Sequence, residues 1–168
     1  EKIEVKNSDV YDIASITKIA STVPLLMQMV DEGDLNIDDE LGKYLELDST
    51  NKEHLIIREI LAHQAGLYPW IPFYQQTLVK DSVSGLMQLR DTLYSEEFSK
   101  EFPIKVADNI YLHYSYPDSI IQQIIASELL EKKEYCYSDL GYYLLKQIIE
   151  NMYGKAINTI AADKFYNR

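Results

Sequence analysis

Apolar and polar positions recur with helical spacing along several stretches of the chain, and glycine or proline marks the ends of most of them. The longest stretch is the mostly apolar run 15–32, which predicts a buried helix with Gly33 as its C-terminal cap. Pro24 lies inside this run and is expected to kink the helix, because proline removes a backbone N–H. The pattern therefore predicts one long helix near the start of the chain.

Further helices are predicted downstream. Isoleucines at 120, 121, 124 and 125 form one helical face behind Pro117, and a second amphipathic run ends at Gly154. Shorter helices are expected after an N-cap at Asp38, over 57–63, around 73–78, around 86–94 and over 156–165. Alternation over 2–6 predicts an edge strand, and the two prolines of 66–72 predict a loop. The chain is therefore expected to be mainly α.

The length and the net charge of the chain limit the functions that it can have. The 168 residues suit one domain, 1–168, and the net charge of −11 argues against a nucleic-acid partner, since phosphate binding needs clustered lysine and arginine. No apolar run has the length of a membrane span, and no signal peptide is visible. The chain begins at Glu1 without methionine, and we expect it to be a fragment of a longer protein.

The residues that commonly bind metals are scattered. Cys136 is the only cysteine, so no intramolecular disulfide can form, and the three histidines share no metal-ligand spacing with it. No glycine-rich phosphate loop is present. The sequence predicts neither a metal site nor a cofactor.

Ser15 and Lys18 stand three residues apart where a strand-like segment turns into the long apolar helix. Side chains at i and i+3 of a helix lie on one face, about 5–6 Å apart at Cβ, so the amine can reach the hydroxyl. A serine needs such a neighbouring base to act as a nucleophile. The alternative is a plain helix-capping serine, a role that stabilises a helix by about 1 kcal/mol.

The same spacing occurs a second time, in Ser49 and Lys52, within a polar, turn-rich stretch. The spacing alone is therefore a weak signal. Only the context of an apolar helix favours the first pair as a catalytic site.

Three segments in order resemble the serine beta-lactamases and penicillin-binding-protein-like hydrolases, most of all the class C and esterase-type branch. They are residues 12–18 (Asp-Ile-Ala-Ser-Ile-Thr-Lys), 60–67 (Ile-Leu-Ala-His-Gln-Ala-Gly-Leu) and 137–142 (Tyr-Ser-Asp-Leu-Gly-Tyr). The resemblance extends over almost the whole chain. It implies the helical subdomain of an α/β fold, with most of the sheet absent from this chain.

The resemblance also implies the site residues. Ser15 would be the acylated nucleophile, Lys18 its proton acceptor or electrostatic partner, and Tyr137 a general base or proton shuttle. Asp139 takes the place of the family's usual asparagine, and an ionised carboxylate near Lys18 would keep the amine charged and shift proton transfer toward Tyr137. The alternative for Asp139 is a purely structural role as the N-cap of the following helix. His63 resembles a buried structural position of the family and is left out of the site.

An alternative alignment and a missing motif limit what the resemblance implies. The Ser-Asp-Asn motif of class A enzymes could be aligned on 138–140, but Leu140 cannot replace a terminal amide, so the tyrosine alignment is preferred. The family's third motif, Lys or His followed by Thr or Ser and Gly, has no counterpart here. We therefore expect the isolated chain to be nearly inactive, although the resemblance implies that its parent is a hydrolase.

The expected substrate is a beta-lactam, a peptidoglycan peptide or a small ester, and the implied location is periplasmic or otherwise extracytoplasmic. The missing motif leaves a second class open: a non-catalytic helical binding module, such as an accessory domain of a bacterial glycoside hydrolase of the beta-N-acetylhexosaminidase type. In either case an exposed apolar face is expected to serve self-association or to receive a sheet region. The substrate and the oligomeric state are not readable from the sequence.

Overall fold

The computed structural model describes residues 4–167. The predicted edge strand over 2–6 falls partly outside this range, and its described residues, 4–6, belong to no strand. The helices are α1 Val23–Asp31, α2 Ile57–Leu61, α3 Phe73–Gln76, α4 Tyr116–Ala126, α5 Leu140–Tyr153 and α6 Ile157–Ala161. The strands are β1 Leu78–Lys80, β2 Met87–Leu89, β3 Tyr94–Ser95, β4 Ile104–Ala107 and β5 Ile110–Leu112.

The chain divides into two compact units. The first comprises Glu1–Ile37 with Leu145–Arg168, and the second is Asp38–Leu144. No described helix has both the length and the apolar character needed to cross a membrane.

In the first unit, the predicted long helix is confirmed in two parts. A π-helical run, Lys18–Thr22, continues directly into α1. Pro24 is the second residue of α1, inside the continuous helix, and it has no N–H to donate to the turn before it. Gly33 ends the helix with φ +81°, and the next N–H, that of Asp34, donates to Met29 O at 2.9 Å. The sequence rules for helix ends therefore hold here.

The C-terminal helices also follow the prediction. α5 ends before Gly154, which has φ +64°, and α6 is followed by the π-helical run Ala162–Tyr166. α6 packs against Lys18–Thr22, and Tyr166 Oη donates to Ala20 O at 2.5 Å. The segments 18–22 and 157–166 therefore pack together within the first unit.

The second unit begins with a correction. Asp38 was expected to cap a short helix, but the helical turn that follows is the 3₁₀ helix Leu41–Lys43, and Glu40 stands at its N-cap position without a side-chain cap. The Asp38 carboxylate instead accepts hydrogen bonds from the Arg58 guanidinium at 2.7 and 2.9 Å. A bidentate ion pair with a distant residue has replaced the local cap.

The region 77–113 differs most from expectation. Instead of the second short helix predicted around 86–94, β2 pairs antiparallel with β1, and β3, β5 and β4 form a three-stranded antiparallel sheet in that order. Asp81 Oδ1 accepts the N–H of Val83 at 3.1 Å, and Gly85 has φ +71°. The connection between β1 and β2 is therefore an ordered turn. More of the described residues lie in helices than in strands, but the strand content was missed.

Tight packing joins the start of α5 to α2 in the second unit. A Cβ added at Gly141 would lie 2.4 Å from Ile60 Cγ2 and 3.0 Å from Leu67 Cδ1. Ile60, Leu67 and Leu140 are all buried. Only glycine allows α5 to begin this close to α2, which fixes the position of the residues just before the helix.

Lys52 is a fully buried amine in the second unit. Its Nζ donates to Asn51 Oδ1 at 2.7 Å and to Ser127 O at 2.5 Å, so it ties residues 51–52 to the end of α4. Burial lowers the pKa of Lys52 to about 8, while the charge of Glu128 acts in the opposite direction.

This buried amine predicts a pH-dependent stability. The folded pKa of about 8 lies below the ordinary value of 10.5, so the unfolded chain binds more protons between these values and the free energy of unfolding should rise with pH. The burial penalty applies in full below pH 8. Between pH 7.5 and 9.5 the gain should be about 1–2 kcal/mol, measured by urea unfolding.

The matched variant is Lys52→Met, which should lack this slope, with Lys43→Met as an exposed control that keeps it. Tyrosine ionisation affects all three proteins alike, so the difference between their profiles isolates Lys52. Parallel pH profiles for the wild type and Lys52→Met would contradict the prediction.

Candidate active site

The backbone before Ser15 forms a tight turn. Ala14 has φ +45°, a left-handed conformation that costs a non-glycine residue about 1–2 kcal/mol. The Ala14 N–H donates to Asp12 Oδ1 at 2.7 Å, and the N–H of Lys18 donates to Ser15 O at 3.1 Å. The serine therefore stands immediately after a strained residue and at the entry to the helical run, and its side chain is exposed.

Within this turn, Lys18 Nζ donates to Ser15 Oγ at 3.1 Å. Lys18 is half-buried, and its amine reaches the hydroxyl. The i, i+3 geometry predicted from the sequence is present. The hydroxyl and the amine therefore lie within hydrogen-bond distance of each other.

The second Ser-x-x-Lys segment has a different arrangement. The Lys52 amine turns into the interior toward Ser127 O, and the backbone N–H of Ser49 donates to Glu53 Oε2 at 2.9 Å. The two segments share the Ser-x-x-Lys spacing, but the Lys18 amine contacts its own serine, whereas the Lys52 amine contacts Ser127 O. Spacing alone does not determine the contact.

In the second unit, residues 137–139 lie directly before α5 and are held by their backbone. The Asp139 N–H donates to Pro69 O at 2.8 Å, and the Ser138 hydroxyl donates to Tyr68 O at 2.6 Å. The same hydroxyl accepts the N–H of Leu140 at 3.1 Å. Ser138, which is buried, therefore anchors the segment and receives a hydrogen bond from the first turn of α5.

Tyr137 is 41% exposed and its ring lies against His63, with the ring centroids 4.4 Å apart. His63 Nδ1 accepts the N–H of Ser138 at 3.1 Å, and His63 O accepts the N–H of Cys136 at 2.9 Å. Sequence reasoning left His63 out of the site. The available signal was its place at the end of a predicted helix, in the second of the three family-like segments.

The structure thus places the four predicted site residues as two pairs. Ser15 and Lys18 lie in the first unit and contact each other, whereas Tyr137 and Asp139 lie in the second, two residues apart and directly before α5. Among residues 4–167, no three histidine, cysteine or acidic side chains are grouped as a metal site would require.

A cavity of about 530 Å³ opens beside residues 135–136 in the second unit. Its lining combines two tyrosines, two leucines and a mixed set of charges: Tyr68, Leu129, Leu130, Glu131, Lys132, Glu134, Tyr135 and Cys136. Space for a small molecule therefore exists next to the Tyr137 segment.

A comparison with known protein families identifies the family to which the chain belongs. The profile of the Beta-lactamase family matches residues 1–168, and the chain belongs to this family.

The similar proteins include penicillin-binding and beta-lactamase types. The chain is 25% identical over 173 residues to an Escherichia coli (strain K12) protein named "Putative D-alanyl-D-alanine carboxypeptidase", covering 99% of this chain and 33% of that protein. An octameric penicillin-binding protein homologue from Pyrococcus abyssi superposes with a TM-score of 0.60 at 23% identity, covering 94% and 30% of the two chains.

A class C beta lactamase from Rhodobacter sphaeroides superposes with a TM-score of 0.57 at 18% identity, covering 91% of this chain and 33% of that chain. At such identities the superpositions establish the fold. The chain spans about a third of the length of the curated relatives it matches.

The anchoring role of Ser138 predicts a stability effect. Ser138→Ala removes the hydroxyl and leaves Tyr68 O and the Leu140 N–H without their partner in a buried place, which should cost about 1–3 kcal/mol. Urea unfolding measures the loss. Ser119→Ala is the control, because Ser119 is an exposed residue of α4. An equal effect in both variants would contradict the anchoring role.

Proposed function

We propose that the chain is the helical part of a serine hydrolase that forms an acyl-enzyme on Ser15. The observation that carries the proposal is the 3.1 Å contact between Lys18 Nζ and Ser15 Oγ, in a chain of the Beta-lactamase family. The exposed hydroxyl at the helix entry adds to it, because a nucleophile must be open to substrate.

The chemistry follows from the groups present. Ser15 Oγ attacks the carbonyl carbon of an amide or ester while its proton passes to a basic group, and the leaving amine or alcohol takes a proton as the bond breaks. Water then attacks the acyl-serine and restores the hydroxyl. Lys18 can accept the serine proton only as a neutral amine, since an ammonium has no acceptor.

We assign Tyr137 the role of a further proton shuttle in this reaction. Its phenol is 41% exposed on a segment whose backbone is fixed on both sides. Asp139 is proposed to replace the family's usual asparagine in binding or charge balance near the reacting groups.

The substrate class proposed is a beta-lactam, a peptidoglycan peptide or a small ester. The relative from Escherichia coli bears the name of a carboxypeptidase that acts on D-alanyl-D-alanine, and a solved relative bears that of a class C beta lactamase. These names describe those proteins, and the similarity of this chain to both supports a cell-wall peptide or lactam here.

The complete oxyanion hole is proposed to need the rest of the hydrolase. The sequence 1–168 has no Lys- or His-Thr/Ser-Gly motif, the segment that supplies the second N–H donor in this family. Loss of one such donor lowers the rate on the order of 10²–10³-fold, so the 168-residue chain by itself should turn over substrate poorly.

A covalent probe tests the nucleophile. The whole protein that contains this chain should be labelled by a fluorophosphonate or a fluorescent penicillin, and Ser15→Ala should abolish the labelling because the attacking oxygen is gone. In-gel fluorescence and intact mass spectrometry measure it.

Ser49→Ala is the matched control, since it alters the same spacing in the other segment and should leave labelling unchanged. Absence of labelling in the folded wild-type protein would overturn the hydrolase and favour the binding module, for which the same cavity and surfaces would serve a partner.

Lys18 gives a second, graded test. Lys18→Met keeps the length of the side chain but removes the amine, and should slow acylation by about 10²–10⁴-fold, the range for loss of a general base. Single-turnover labelling rates measure it against Lys6→Met, an exposed lysine of the same unit. Equal rates for both variants would show that another group activates Ser15.

A further inference from the structure

The residue that faces Tyr137 is His63, and its own position is unusual. It follows α2 with φ +57°, a left-handed conformation that is uncommon outside glycine, although asparagine, aspartate and histidine adopt it more often than other residues. The His63 N–H still donates to Ile60 O at 3.1 Å, so the helix ends in an ordered turn. A histidine therefore stands where the backbone alone favours glycine.

The contacts of His63 offer a reason. Its carbonyl accepts the Cys136 N–H at 2.9 Å, and its Nδ1 accepts the Ser138 N–H at 3.1 Å. The residue thus binds the backbone on both sides of Tyr137. Only the second of these bonds depends on the side chain.

The imidazole ring also supports the phenol. The centroids of His63 and Tyr137 are 4.4 Å apart with 36° between the planes, and Tyr142 stacks on His63 with the centroids 5.5 Å apart. Tyr142 belongs to α5, so the ring lies between the helix and the segment that precedes it. Such ring pairs contribute about 0.5–1.5 kcal/mol beyond their buried area.

The Ser138 contact fixes the protonation of the ring. A backbone N–H can only donate, so Nδ1 must be unprotonated, and the neutral imidazole must carry its proton on Nε2. A proton on Nδ1 would place two donors against each other.

We propose that His63 is a positioning residue that holds the Tyr137 phenol in its working orientation, through the Nδ1 bond to the Ser138 N–H and through its ring. The catalytic part of this inference rests on the proposed function. The positional part concerns the second unit alone and stands without it. His63 was left out of the site on sequence grounds, and this inference assigns it a supporting role there.

Two variants separate the side-chain acceptor from the backbone conformation. His63→Asn keeps an acceptor, Oδ1, at the bond position of Nδ1, and asparagine tolerates positive φ. His63→Gly also tolerates positive φ but has no acceptor. Both lose the ring, so a difference between them reports the hydrogen bond to Ser138.

The first readout is independent of activity. The ¹⁵N shifts of His63 in the wild-type protein should show an unprotonated Nδ1 and a protonated Nε2 at pH 8. Exchange of the Ser138 amide should be slow in the wild type and in His63→Asn, and at least about 10-fold faster in His63→Gly, because a lost bond of about 1.4 kcal/mol corresponds to that factor.

The second readout is the acylation rate of the whole protein, by the same covalent probes. His63→Gly should be slowed about 10²-fold, the cost of a misplacement near 1 Å, and His63→Asn should recover most of that loss. Circular dichroism and urea unfolding establish that both variants fold.

The outcomes separate the two proposals. A protonated Nδ1, or equal Ser138 exchange in the folded Asn and Gly variants, overturns the positioning contact whatever the enzyme does. Slow exchange with no labelling of the wild type leaves the contact intact and overturns the hydrolase. Labelling that is equally fast in the wild type and His63→Gly overturns the catalytic part.

Discussion

The constraint on which the second unit depends is a set of backbone hydrogen bonds between residues 63–69 and 129–139. Leu67 and Leu129 form an antiparallel bridge, the Leu130 N–H donates to Gly66 O at 2.7 Å, and the Asp139 N–H donates to Pro69 O at 2.8 Å. Both segments lack regular structure, so these bonds satisfy backbone groups that would otherwise need water. They hold the residues before α5 as firmly as a strand pair would.

Prediction from sequence succeeded where the deciding contacts are local. Gly33 and Gly154 end helices through a positive φ, and Pro117 opens α4, because each effect depends only on neighbouring residues. The Ser15–Lys18 contact belongs to this group, since it lies within one turn. The strands of 78–112 were missed for another reason: each has only two to four residues, which is too short for an alternating pattern to be recognised.

The same distinction applies to three residues whose partners lie far along the chain. Asp38 has the composition of an N-cap, but Arg58, twenty positions later, offers a bidentate partner. His63 looked structural because its bond to Ser138 joins positions 75 apart in the chain. Lys52 had the same spacing as Lys18, and only its burial against Ser127 O separates the two. In each case a distant partner decided the role.

Two non-glycine residues beside predicted site positions share one feature, which is their left-handed backbone. Ala14 precedes Ser15 with φ +45°, and His63 supports Tyr137 with φ +57°. Glycine would relieve the strain at both places, so the backbone cannot be the reason for the residue type. At His63 the reason is visible, since glycine would forfeit both the Nδ1 acceptor and the ring that contacts Tyr137. These side-chain contacts offset a left-handed backbone that costs about 1–2 kcal/mol, and glycine could make neither of them.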